Sequence, residues 1–181
     1  REERASDLET HLQEGRFDTV ISTVDDHRNC RSAFLFEDHL WICMAHDDPL
    51  ARDSGPVALP ALKGRELLSL GYWHWQSLDL KVHAIAETSG AVVSTEYEGS
   101  TLDAIRQMAE MGAGLAILPS LYALTEVRRD PHMIIRRIND PLAVRQISLI
   151  WRDTSPLDRS FTTLAEVLRD VSTAILGNDL P

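Results

Sequence analysis

Apolar and polar positions along the chain follow the patterns of short strands and helices that succeed one another. Apolar residues spaced by three or four from Leu157 to Gly177 predict the longest amphipathic helix. Short apolar runs at 17–23, 66–70, 91–96, 115–118, 133–138 and 146–151 predict strands, and the stretch 32–45 fits either two strands or one long strand with a bend. Strands and helices that alternate in this way predict an α/β fold.

The stretch 98–119 joins a helix start to a buried strand. Apolar positions at helical spacing from 102 to 109 predict an amphipathic helix, and Gly112 is suited to end it. The apolar run 115–118 follows directly and stops at Pro119. We therefore expect the beginning of this helix and the end of this strand to belong to one compact segment.

Two hydroxyl side chains, Ser100 and Thr101, stand just before that helix. Ser100, three residues before Asp103, is the predicted cap: its hydroxyl can accept a hydrogen bond from a free backbone N–H of the first turn, and Asp103 is favoured there by the helix dipole. A helix N-terminus can also bind an anion or a polar ligand. The residues alone leave two interpretations open. The hydroxyls could contact a ligand, or they could only cap their own helix, as most such hydroxyls do.

The composition is that of a globular protein. The 181 residues are 44% hydrophobic and 25% charged, enough for one substantial domain or two small ones. No apolar run is long enough to span a membrane, and the first residues form no secretion signal, so we expect a cytoplasmic location and no membrane partner. The formal net charge of −10 opposes phosphate contacts, so this part of the protein is not expected to bind DNA itself.

The two cysteines, Cys30 and Cys43, are too few for a disulfide framework and lack CxxC spacing. Cys43 lies in an apolar run and is expected to be a buried small residue. Cys30 lies in a polar stretch, where Arg28 and Arg31 could lower the pKa of its thiol. Cys30 is therefore the redox candidate, although free surface thiols usually have no redox role.

No catalytic or nucleotide-binding motif is present. The sequence contains no GxGxxG, GxxxxGK[ST], GxSxG or HExxH motif. Asp25, Asp26, His27 and Cys30 share one loop, but without a second pair of ligands a solvated polar loop is favoured over a metal site. No nucleophile with a neighbouring base can be named, so we expect neither an enzyme nor a cofactor nor a bound metal.

An aromatic segment, 71–77, contains Trp73 and Trp75 on either side of His74. Such a cluster can form the wall of a pocket or fill a core, and the residues alone do not decide between the two. A histidine in this setting could titrate, although it is more often a packed side chain.

Five segments resemble, in sequence order, the effector-binding domain of LysR-type transcriptional regulators. They are Leu12–Ile21, His46–Ala51, Glu98–Leu102, Met108–Pro119 and Ile147–Arg152. The resemblance implies two Rossmann-like α/β lobes joined by two hinge strands, as in type 2 periplasmic binding proteins, with a ligand cleft between the lobes. Lobe I would comprise residues 1–40 plus 148–181 and lobe II residues 41–147, and the strand–helix unit with which family domains open is missing from this sequence.

The same resemblance implies which residues bind a ligand. They are Ser22, Thr23, His74, Trp75, Ser100, Thr101 and Pro119. Within the family the sequence is most similar to the peroxide-sensing, OxyR-like branch, which places its peroxidatic cysteine directly after a histidine. Here Trp75 follows His74 and the resolving cysteine has no counterpart, so that peroxide switch is excluded because tryptophan forms neither a sulfenic acid nor a disulfide.

The resemblance implies a function as well. We expect the effector-binding and oligomerisation domain of a regulator that senses a small polar or anionic metabolite. Promoter DNA would be bound through a helix-turn-helix domain absent from this chain, and the protein would be a homodimer or homotetramer. The alternatives are a solute-binding protein of a transporter and a thiol-responsive regulator that uses Cys30.

Overall fold

The structure is a computed structural model that describes residues 5–23, 29–70, 76–99 and 101–176. In chain order its helices and strands are α1 (Ala5–Gln13), β1 (Thr19–Thr23), β2 (Cys30–His39), β3 (Trp41–Ala45), β4 (Glu66–Ser69), α2 (Gln76–Ser89), β5 (Val92–Glu98), α3 (Leu102–Glu110), β6 (Leu115–Leu118), α4 (Ser120–Thr125), β7 (Met133–Arg137), β8 (Val144–Arg152) and α5 (Asp158–Leu176). The stretch 32–45 thus forms two strands, β2 and β3, rather than one bent strand.

The chain divides into two compact units. Unit 1 contains residues 1–38 and 145–181, and unit 2 contains residues 39–144. The polypeptide therefore passes from one unit to the other twice.

Unit 1 is built on a three-stranded sheet with the order β1-β8-β2, in which β1 and β8 run antiparallel. Val20 lies opposite Ile150, and both pack with Leu12 of α1 on one face of the sheet. Leu149 and Trp151 point to the other face because side chains alternate along a strand, and they pack with α5. One helix therefore covers each face.

A buried ion pair joins β2 to β8 where both strands reach the edge of unit 1. Arg145 donates to Oδ2 of Asp38 through Nε at 2.9 Å and also through Nη2. Only 3% of the Asp38 side chain and 10% of the Arg145 side chain are exposed. The pair holds the two strands together at the point where the chain passes between units.

Unit 2 is built on a five-stranded sheet with the order β5-β4-β6-β3-β7. β4 runs parallel to both β5 and β6, whereas β3 runs antiparallel to β6 and β7. Every residue of β6 is buried, as expected for a strand covered on both faces. Cys43 on β3 is fully buried in this core, so its prediction as a small core residue is confirmed.

These two α/β units have the alternating order predicted from the sequence, and no described helix is long and apolar enough to cross a membrane.

Candidate functional site

The start of α3 is the most clearly defined part of the candidate site. Thr101 is the N-cap, in an extended conformation, and its Oγ1 accepts a hydrogen bond from the Ala104 amide at 3.1 Å. The prediction that Ser100 caps this helix is wrong, because the helix begins one residue later and Thr101 is its cap; Ser100 itself lies outside the described residues. Thr101 is exposed. The amides of Leu102 and Asp103 have no acceptor within the helix, since each belongs to its first turn.

Gly99 fixes the position of this helix start against β4. Its amide donates to the Ser69 carbonyl at 3.0 Å. A Cβ atom at Gly99 would lie only 2.5 Å from Cγ2 of the buried Ile105, so no larger residue fits without displacement of the helix. Close approach, rather than a positive φ, is what requires glycine here.

Ser69, which accepts the Gly99 amide, also contacts a buried carboxylate that sequence reasoning did not identify. Asp79, in the first turn of α2, is 2% exposed, and its Oδ1 accepts a 2.6 Å hydrogen bond from Ser69 Oγ. His83 Nε2 lies 3.5 Å from the other carboxylate oxygen. An aspartate in a first helical turn is ordinary in sequence terms, and its burial depends on the packing of α2 against β4. Ser69 therefore links α2 through its side chain and the approach to α3 through its carbonyl.

Pro119, the other predicted residue of unit 2 that the structure describes, belongs to the same edge of the sheet. β4, β5 and β6 are parallel, so their carboxyl ends lie together, and α/β proteins commonly bind ligands at such an edge. Thr101 follows the end of β5, and Pro119 follows the end of β6. Pro119 is half-buried, and its carbonyl accepts the Ala123 amide of α4 at 2.9 Å.

Electrostatics at the start of α3 are mixed. The Asp103 carboxylate accepts hydrogen bonds from Arg106 Nε at 3.0 Å and from the Tyr122 hydroxyl at 3.3 Å. Burial, followed by the charge of Asp103, raises the pKa of Tyr122, so the phenol remains a donor. Arg106 also contacts Asp130 at 2.8 Å. The free amides would thus stabilise an anion bound at the helix start, and the negative charge of Asp103 would destabilise it.

The predicted residues of unit 1, Ser22 and Thr23, end strand β1 and are half-buried. Ser22 lies opposite Ser148, and Thr23 lies opposite Ile147, both on β8. His74 and Trp75 lie outside the described residues, as do residues 24–28, which include Asp25, Asp26 and His27. Elsewhere in the described ranges, no group of three or more His, Cys, Asp or Glu side chains could hold a metal ion.

Cys30 does not have the environment expected from the sequence. Burial raises the pKa of its thiol, whereas a lowered value was expected. Gln13 Nε2 donates to its Sγ at 3.4 Å, and the expected partner Arg31 instead binds Asp158 at 2.9 Å. Arg28 lies outside the described residues. The described part of the chain therefore contains no cysteine with a thiolate-favouring environment.

The chain forms two α/β units and passes from one to the other twice. In unit 2, a capped helix start lies at the carboxyl edge of the parallel strands. These features define a ligand-binding domain of the type 2 periplasmic-binding-protein architecture. The chain belongs to the LysR substrate binding domain family, whose model matches residues 1–173. The resemblance found in the sequence is thereby confirmed.

Individual relatives agree with this assignment. The chain is 29% identical over 170 residues to the DNA-binding transcriptional dual regulator OxyR of Escherichia coli K12, covering 93% of this chain and 54% of that protein. The crystal structure of the reduced form of OxyR matches with a TM-score of 0.79 and 26% identity, covering 94% of this chain and 78% of that one. The CcmR regulatory domain of Synechocystis PCC6803 in complex with 2-PG matches in fold, with a TM-score of 0.74, 18% identity and coverage of 91% and 78%.

The chain spans about half the length of the curated relatives it matches. Those relatives are named as a DNA-binding transcriptional dual regulator and as hydrogen peroxide-inducible genes activators.

Proposed function

We propose that this chain is the effector-binding domain of a LysR-type transcriptional regulator and that the start of α3 binds a small polar or anionic metabolite. The family assignment supports the regulatory role. The observation that carries the location is the exposed N-cap Thr101, which is followed by two first-turn amides without helical acceptors.

The proposed ligand is polar, with at most a modest negative charge. Amides at a helix N-terminus favour an oxygen-bearing or anionic group. The neighbouring Asp103 carboxylate opposes a strongly charged anion, and its contact with Arg106 offsets only part of that charge. The solved CcmR regulatory domain has the same fold and is in complex with 2-PG, which makes 2-PG a sensible first probe.

The proposed regulator acts on DNA through a part of the protein other than this chain. The net charge of −10 opposes phosphate contacts here, whereas the E. coli relative is a DNA-binding regulator of nearly twice the aligned length. We further propose that a helix-turn-helix domain of the protein binds promoter DNA. The protein is proposed to be a homodimer or homotetramer and to lie in the cytoplasm. A ligand that prefers one conformation of the domain would shift its population and so alter DNA binding.

The two alternatives have less support. A transporter's solute-binding protein would share the architecture, but the matched relatives are transcriptional regulators. A thiol-responsive regulator is compatible with the OxyR relatives, but burial raises the pKa of the Cys30 thiol, which makes Cys30 a poor nucleophile.

The test is a thermal-shift screen with polar and anionic metabolites, 2-PG and inorganic phosphate among them, followed by calorimetric titration of any ligand that stabilises the chain. Thr101→Val removes the hydroxyl at nearly constant volume, and Thr101→Ser retains it. We expect the valine variant to bind roughly tenfold more weakly and the serine variant to bind as the wild type does. Equal affinity in all three proteins, or stabilisation by no compound, would contradict the proposal.

A further inference from the structure

Two histidines lie directly opposite each other at one end of the unit 2 sheet. Strand β3 ends at Ala45, which pairs with Met133, the first residue of β7. The pairing continues one residue further, because the His46 amide donates to the His132 carbonyl at 3.1 Å. Residues that face each other across two strands project their side chains to the same side of the sheet, so the two imidazoles share one face. We call His46 and His132 the histidine pair.

The two rings are close enough to hold one ion. Their centroids lie 6.5 Å apart, and their planes meet at 63°. Two metal–nitrogen bonds of about 2.0–2.1 Å span at most about 4 Å, and a nitrogen on the rim of one ring lies nearer to the other ring than the centroid does when it faces that ring. Both side chains are exposed, so they can change rotamer without displacing packed neighbours. A small rotation of each side chain therefore brings one nitrogen of each ring within reach of a single ion.

The backbone beneath the histidine pair is fixed. Ala45 and Met133 are buried, and the His132 amide donates to Oδ1 of Asp130 at 2.9 Å. The other oxygen of Asp130 accepts a hydrogen bond from Arg106 of α3 at 2.8 Å. Ligands on a fixed backbone lose little conformational freedom on binding, which favours a metal site at these strand ends over one on a loose loop.

The chemistry of the histidine pair selects the class of ion. Imidazole binds Ni²⁺, Cu²⁺ and Zn²⁺, whereas Mg²⁺ and Ca²⁺ prefer oxygen ligands. Asp47, exposed and next to His46, adds a negative charge that attracts a cation. Because the histidine pair supplies two ligands and a structural site usually has four protein ligands, water completes the coordination and the binding is weaker than in a structural site.

We propose that His46 and His132 bind one divalent transition-metal ion of the imidazole-binding class, Ni²⁺, Cu²⁺ or Zn²⁺, with water as the remaining ligands. The sequence predicted no metal site, because the two histidines are distant along the chain and only the pairing of β3 with β7 brings them together. This site lies beyond the proposed function and does not depend on it.

The first measurement titrates the full chain with NiCl₂ while amide NMR spectra are recorded. Ni²⁺ is paramagnetic and broadens the signals of amides near it, so the spectra locate the ion. We expect broadening first at residues 45–47, 132 and 133. Broadening that begins at another histidine, or at all histidines together, would overturn the proposal.

The second measurement compares variants in the same titration. His46→Gln and His132→Gln each remove one ligand at an exposed position, so we expect the Ni²⁺ affinity at these amides to fall at least roughly tenfold. His11→Gln is the matched control: His11 belongs to unit 1, so its loss should leave that affinity unchanged. Affinity equal to that of the wild type in either variant of the histidine pair would refute the assignment.

The third measurement changes the ion. ZnCl₂ should shift the same amide signals in a saturable way and compete with Ni²⁺, whereas MgCl₂ at the same concentration should not. Equal shifts with MgCl₂ would count against the histidine pair, because carboxylates rather than imidazoles would then be the ligands. Failure of this proposal is separable from failure of the proposed function, since Thr101→Val should keep the wild-type Ni²⁺ affinity whether or not it loses affinity for a metabolite.

Discussion

Gly99→Ala is the substitution that most directly tests how the candidate site is held in place. The added Cβ would lie 2.5 Å from Ile105 Cγ2 and 3.3 Å from the Ile105 amide nitrogen. Ile105 is 1% exposed, and the close-packed interior leaves its side chain no other position, so α3 must shift. Overpacking of this kind costs about 1–3 kcal/mol. That loss corresponds to a melting temperature lower by roughly 2–12 °C in a domain of this size, which circular dichroism can measure.

Two control variants separate overpacking from a general effect of replacing glycine. A Cβ at Gly55 would meet nothing within 4 Å, and its φ is not positive, so Gly55→Ala should leave the melting temperature unchanged or slightly raised. Ile105→Leu removes the Cγ2 methyl, so the double variant Gly99→Ala, Ile105→Leu should recover part of the stability lost by Gly99→Ala. The reasoning is refuted if Gly99→Ala unfolds at the wild-type temperature or if Ile105→Leu gives no relief.

Two further predictions concern unit 1. Asp38→Asn leaves the Arg145 guanidinium buried without its carboxylate, so we expect a loss of about 3–5 kcal/mol in urea unfolding, and a loss below about 1 kcal/mol would show that the pair does not matter. Because burial raises the pKa of the Cys30 thiol, its alkylation by iodoacetamide at pH 7 should be slower than that of free cysteine, and its rate should still rise with pH where the rate of free cysteine has levelled off. Cys30→Ser is the control for reaction at the buried Cys43, and a rate at pH 7 equal to that of free cysteine would contradict the prediction.

Local patterns were sufficient for most elements of the fold. The helix at 102–110 and the strand at 115–118 were predicted because apolar spacing, a capping hydroxyl and a terminal glycine all act within a few residues. The predicted cap, Ser100, was wrong. Ser100 and Thr101 have the same chemistry in sequence, and only the backbone path shows that Thr101 caps the helix.

Contacts between distant segments were not predictable from those patterns. The pKa of Cys30 was expected to be lowered by Arg31, but Arg31 binds Asp158, which is 127 residues away in sequence. The burial of Asp79 depends on Ser69 of a neighbouring strand. Neither partner carries a local signal, because long-range pairing is decided by sheet order and helix packing.

The sequence by itself determined the α/β class, the family and most helix and strand positions, because periodicity, turn residues and family motifs are properties of short segments. The tertiary structure alone showed that Gly99 is required by a close approach to Ile105, that Thr101 and Pro119 follow the two parallel strands on either side of β4, and that Ser148 lies buried opposite Ser22. These features depend on which strands are adjacent and in which register. Adjacency and register are set by burial of the whole apolar surface, which no short segment encodes.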